Sequence, residues 1–91
     1  MFGFKQSQTG TLAEIFQKQA QPEKALVICQ RAMDYDLTYE LAYSLSMQLH
    51  HHMGDRASVI RIYLACQDVM QRRLGLSPSK ETEALYRRLI A

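Results

Sequence analysis

Ninety-one residues make one domain, and a chain this short buries only about 60–65% of the surface its unfolded form exposes, so most apolar residues must share one core. With 47% hydrophobic and 22% charged residues, few Gly and Pro and many Ala, Leu, Gln, Met, Glu and Arg, the composition excludes a disordered chain and points to α-helix. A formal charge of +2 is too weak to call for nucleic acid, although it is uneven: four Lys/Arg face six Asp/Glu up to Asp55, and seven face three from Arg56 onward.

In chain order, residues 1–10 read as a flexible N-terminal segment or the boundary of a longer chain, and residues 11–91 as one helical domain. The first expected helix runs from about Thr11 to Lys18, with Leu12, Ile15 and Phe16 at helical spacing. Pro22 can open the second, since a first-turn proline loses no intrahelical bond, and Ala25, Leu26, Ile28, Cys29, Ala32 and Met33 carry the period to about Tyr35. Asp36 or Thr38 then caps a third helix striped by Leu41, Ala42, Leu45, Leu49 and Met53. Gly54 stops it, suited to a left-handed position.

Asp55 is the expected N-cap of the fourth helix. Val59, Ile62, Tyr63, Cys66, Val69 and Met70 form one apolar face and Ala57, Ile60 and Leu64 a second, which predicts neighbours on both sides. Leu74-Gly75-Leu76 ends it, with Leu76 folding back on Met70, and Pro78 blocks continuation. Ser79 caps a fifth helix with Glu81 and Glu83 in its first turn, Leu85, Tyr86 and Leu89 inward, and Arg87 and Arg88 at its negative end. The fold class expected is all-α, about five helices in antiparallel hairpins.

An offset of 34 positions places Ala25 over Val59, Cys29 over Tyr63 and Ala32 over Cys66. A 34-residue helical hairpin resembles the tetratricopeptide repeat. Its early large aromatic is Tyr43 in the second hairpin, whereas the first has Thr9. The C-terminal half adds an ordered set: Gly54-Asp55-Arg56-Ala57, Arg61-Ile62-Tyr63, Leu74-Gly75-Leu76-Ser77-Pro78-Ser79, Glu81-Thr82 and Ala84-Leu85-Tyr86-Arg87-Arg88-Leu89. With Ala32 to Asp36 and Glu40 upstream, this order resembles the bacterial transcriptional activator domain, the tetratricopeptide-like C-terminal module of SARP-type and related regulators. The resemblance spans Ala20 to Leu89. The family's proline after Asp36 is Leu37 here, and its polar third-helix residue is Tyr43. It implies a regulatory module that transmits a signal, self-associates or contacts partner proteins, with no catalytic residues to carry over.

Site candidates follow the same weighing. Three consecutive histidines, His50, His51 and His52, fan out by about 100° each around a helix instead of converging, so they read as surface or partly packed residues and no metal is expected. Cys29 and Cys66 sit in apolar patterns and read as buried thiols, neither nucleophile nor disulfide; two thiols and no leader-like start suit a reducing cytoplasm. Arg72, Arg73, Arg87 and Arg88 form a candidate basic contact surface. Each pair closes a helix where cations are favoured anyway, which argues against direct nucleic-acid binding. Tyr39, Tyr43 and Met47 fall near the side of the third helix that its leucine stripe leaves free. They either line a groove for a partner segment or pack against the first helix.

No phosphate loop, paired-carboxylate motif or zinc-knuckle spacing is present, so no enzyme, cofactor or small-molecule substrate is expected. No apolar run reaches the ~18–20 residues of a membrane span. The expected partner is a protein: a neighbouring domain of a transcriptional regulator, a second copy, or a peptide. The alternative function is a free-standing tetratricopeptide-like adaptor or chaperone holding a peptide in a helical groove.

Overall fold

A computed structural model describes residues 21–91, which form four α-helices and no strand. The segment 1–10 and the helix expected over Thr11 to Lys18 lie outside the described residues. The helices are α1 (Pro22–Tyr35), α2 (Glu40–His52), α3 (Arg56–Leu74) and α4 (Lys80–Ile90). None is long and apolar enough to cross a membrane.

Local chemistry accounts for most of the boundaries. Pro22 occupies the first turn of α1, where Gln21 serves as N-cap and its carbonyl accepts from Lys24 and Ala25. Asp55 caps α3, its Oδ1 accepting from Ser58 N–H at 3.0 Å, and Ser79 caps α4, its hydroxyl accepting from Thr82 N–H at 3.2 Å. Gly54 and Gly75 both take left-handed φ, +75° and +66°, at the ends of α2 and α3. Leu76 N–H reaches back to Met70 O at 3.3 Å, closing a Schellman-type turn, although the Leu76 side chain stays exposed.

The start of α2 departs from expectation. Neither Asp36 nor Thr38 caps it: Tyr39 holds the N-cap position without a side-chain bond. The Asp36 carboxylate is already engaged two residues on, accepting from Thr38 N–H (3.0 Å) and Thr38 Oγ1 (2.8 Å), so it closes the loop and the helix begins later.

Packing is organised around α2, which touches all three other helices. Against α1, Leu45 and Leu49 meet Ala25 and Cys29. A second cluster joins Met33, Ala42, Tyr43, Cys66 and Met70 from three helices. A third gathers Met47, Val59 and Tyr63 beneath Leu85, Tyr86 and Leu89 of α4, with the Tyr63 and Tyr86 rings stacked at 3.9 Å. Each fully buried side chain of this kind stabilises by about 1.5–3 kcal/mol. The pairings make α1 and α3 antiparallel to α2. The contacts Glu40–Ser79 and Ser44–Thr82 run α4 parallel to α2.

Two sequence expectations change here. The second apolar face of α3 is only partly covered among the described residues: Ala57 is exposed, Leu64 is 53% exposed and Ile60 is half-buried, while α2 and α4 both pack on the Val59–Tyr63–Cys66–Met70 side. Leu41 at the start of α2 and Met53 at its C-cap, the ends of the expected stripe, are each 39% exposed.

Candidate functional site

Of the three residues expected either to line a partner groove or to pack against the first helix, Tyr43 and Met47 are buried and Tyr39 is half-buried. Met47 has no accessible surface and lies against Val59 and Tyr63. Tyr43 is buried in the three-helix cluster, its hydroxyl donating to Leu37 O at 2.9 Å, and Tyr39 packs half-buried beside it. The side holding Tyr43 and Met47 is taken by α1, α3 and α4, while Leu41, Gln48, His51 and His52 stay exposed. Six consecutive residues, Ala42 to Met47, are buried as a result.

The basic residues do not form one surface. Arg56 at the start of α3 donates through Nε and Nη2 to Ile90 O at the end of α4, so these two helices are antiparallel. Arg72 and Arg73 therefore sit at one end of the bundle, Arg87 and Arg88 at the other. Arg72 pairs with Asp68 at 2.8 Å and Arg87 with Glu83 at 3.0 Å, both exposed i,i+4 pairs of small energetic weight.

Both cysteines are buried free thiols. Burial pushes Cys29 up to about 11, and burial followed by the nearby Glu40 charge pushes Cys66 up to about 11. A thiol held that far above its ordinary range supplies almost no thiolate nucleophile at neutral pH. Among the described residues no three His, Cys, Asp or Glu side chains converge on a common point suited to a metal ion. His51 and His52 are exposed, while His50 is partly buried against the α2–α3 turn.

The structure brings together a group that lies 39 positions apart in the chain. Glu40, the first residue of α2, accepts through Oε2 from Ser79 N–H (2.8 Å) and Ser79 Oγ (2.6 Å), joining the cap of α4 to the start of α2. One turn on, the buried Ser44 and Thr82 hydroxyls share a 3.2 Å hydrogen bond. Burial raises the Glu40 carboxyl, but the bonds from Ser79 Oγ, Thr82 and Ser79 N–H outweigh it and hold the group below its ordinary value. Alongside this polar seam runs an open groove between α2 and α4, bordered by Leu41, Gln48, Ala84, Leu85, Glu81 and Arg88. The groove is shallow and open to solvent, and its lining mixes the apolar Leu41, Ala84 and Leu85 with the polar Gln48, Glu81 and Arg88.

In the sequence, Glu40 has a place in the family resemblance but no site role, and the possible groove lies at Tyr39, Tyr43 and Met47 instead of between α2 and α4. Ser79 was legible as a helix cap, yet its use of Glu40 depends on a long-range approach with no local signal. A scan against protein-family models finds no match for the chain, and searches of curated proteins and of solved structures find none either.

Proposed function

We propose that this chain is a non-catalytic protein-interaction module of a bacterial transcriptional regulator. It works in the cytoplasm by packing its helical hairpins against a neighbouring domain or a second copy. The observation that carries the reading is the repeat register: α1 begins at Pro22 and α3 at Arg56, 34 positions apart, and the matched pairs Ala25/Val59 and Cys29/Tyr63 are all buried. That register supports a tetratricopeptide-like arrangement, in which each hairpin offers a face to the next. The second helices, by contrast, begin 40 positions apart, at Glu40 and Lys80, because α3 has 19 residues where α1 has 14 and the linker after it is one residue longer.

The motif set that resembles the activator domain supports the same reading. Its Gly54, Asp55, Gly75 and Ser79 are the residues that make the turns and caps of the second hairpin. Both thiols are buried, so neither cysteine is presented as a nucleophile. The DNA sequence directly upstream of the Met1 codon tests the regulator assignment. The expected result is an open frame running back into a basic helix-turn-helix domain. A stop codon followed by a ribosome-binding site would overturn it.

A peptide-binding adaptor is the second reading, favoured by the open groove between α2 and α4. On that reading Leu41→Asp, at the groove edge, abolishes peptide binding while leaving the fold intact. Unchanged binding by that variant would sink it.

A further inference from the structure

Among the described residues, two large apolar side chains are exposed in the middle of a helix: Val27 on α1, 52% exposed, and Leu64 on α3, 53% exposed. The other exposed ones lie at helix ends or in turns. Val27 stands among Glu23, Gln30, Arg31 and Asp34, an ordinary solvated face. Leu64 has different neighbours. Ala57, Arg61, Leu64, Ala65 and Asp68 are all exposed and share an arc of about 100° on α3, with half-buried Ile60 along one edge. The buried Val59, Tyr63, Cys66 and Met70 lie on the opposite side of the helix.

The charges on this face are arranged about its apolar centre. Arg61 lies three positions before Leu64, and Asp68 three positions after Ala65. Two charges of opposite sign are thus equidistant from the point between Leu64 and Ala65. They stand about 10 Å apart along the helix axis, too far to pair with each other. Arg61 has no carboxylate within ion-pair distance among the described residues, and its Nη2 donates to Ser58 Oγ at 2.8 Å. Asp68 pairs with Arg72 one turn on, an exposed contact of small weight that leaves the carboxylate open to a second cation.

We propose that this face of α3 is a self-association surface, packing antiparallel on α3 of a second copy about a two-fold axis between Leu64 and Ala65. The inference rests on the interaction-module reading and names its partner. In that register Leu64 covers the partner's Ala65 and Arg61 meets the partner's Asp68, and the axis repeats both contacts. A parallel pairing would instead set Arg61 against Arg61 and Asp68 against Asp68. The symmetry of the charges about an exposed leucine is what favours a second copy over an unrelated partner, since a two-fold interface must be complementary to itself. One helix pair is small for a specific interface, below about 1,200 Å², so the dimer is weak, with a dissociation constant of roughly 10–100 μM.

Sedimentation equilibrium of the full 91-residue chain, from about 5 to 500 μM to span that constant, tests the surface. The wild-type chain is expected to pass from monomer to dimer. Leu64→Glu, at an exposed position that the fold does not need, should weaken the dimer at least about tenfold. Arg61→Asp and Asp68→Arg should each weaken it at least about fivefold, because each sets like charges opposite one another. Combining the two reversals re-forms the pair in the opposite sense and should restore affinity to within about twofold. Asp68→Arg removes the Arg72 pair in the single and double variants alike, so recovery isolates the contact between copies. A chain that stays monomeric across the whole range overturns the proposal. So does a dimer indifferent to Leu64→Glu, or a double reversal that recovers nothing. The regulator reading would survive each of these results, because a neighbouring domain remains its other partner and the frame upstream of Met1 tests it separately.

Discussion

Removing the Glu40 carboxylate should unlatch α4 from α2. Two donors, Ser79 N–H at 2.8 Å and Ser79 Oγ at 2.6 Å, converge on one charged oxygen in a partly buried setting. Hydrogen bonds to charged groups contribute about 1.5–3 kcal/mol each, and water replaces part of that where the site is open. Glu40→Ala should therefore cost about 2 kcal/mol, and Glu40→Gln, which keeps a neutral acceptor, about 1 kcal/mol. For a domain this small the urea dependence is about 1 kcal/mol per molar, so the unfolding midpoint of the alanine variant should fall by about 2 M at pH 7.

The acid limb provides an internal check. Because the Glu40 carboxyl is held below its ordinary value, its stabilisation is present above the unfolded pKa, about 4.3, and is lost as pH falls through the folded value. The gap between wild type and Glu40→Gln should accordingly narrow toward pH 3. Glu81→Gln, exposed one turn into α4, should shift the midpoint by no more than about 0.5 M. A change under about 0.3 M for Glu40→Ala, or a gap to Glu40→Gln that is unchanged at low pH, would refute the reasoning.

Three other outcomes follow from the same geometry. Gly75→Ala should lose about 1–2 kcal/mol in chemical denaturation, entirely from its φ of +66°, since an added Cβ would meet nothing within 4 Å. Cys29 and Cys66, each raised to about 11 from 9.0, should react with a disulfide reagent at pH 8 at least about a hundredfold more slowly in the folded chain than in guanidinium, as read by absorbance. Met47→Ala, which empties the centre of the α2–α3–α4 cluster, should cost about 2–5 kcal/mol by thermal melting. A groove-lining Met47 would instead leave stability within about 0.5 kcal/mol.

Local chemistry was the legible part of this fold. Pro22, Asp55, Ser79, Gly54 and Gly75 each act through groups within a few residues of themselves, so their roles as helix starts and stops could be read from the sequence and are found in the structure. The buried stripe Ala25–Cys29–Met33 and the core face of α3 follow from helical period alone. What sequence could not supply was the direction of α4. Its parallel return along α2 packs on the Met47 cluster and creates the Glu40–Ser79 latch, while Tyr43 is enclosed by α1 and α3. For Tyr39, Tyr43 and Met47 the sequence left a partner groove and packing against the first helix both open, because helical period says which residues share a face but not which face a distant helix will claim. Asp36 was misplaced for a more local reason: an Asx turn and an N-cap use the same residue type, and the choice between them depends on where the chain goes next. The second face of α3 shows the reverse case, an apolar stripe whose ends, Ala57 and Leu64, stay exposed among the described residues.

The central claim, that the chain is a regulatory interaction module, is tested most directly by deleting codons 21–91 from the native gene and measuring transcripts genome-wide against the unaltered strain. The account predicts a reproducible change in a defined set of genes, reversed by the wild-type segment but not by a segment carrying Glu40→Ala and Met47→Ala together. Transcript levels that do not change on deletion would contradict it.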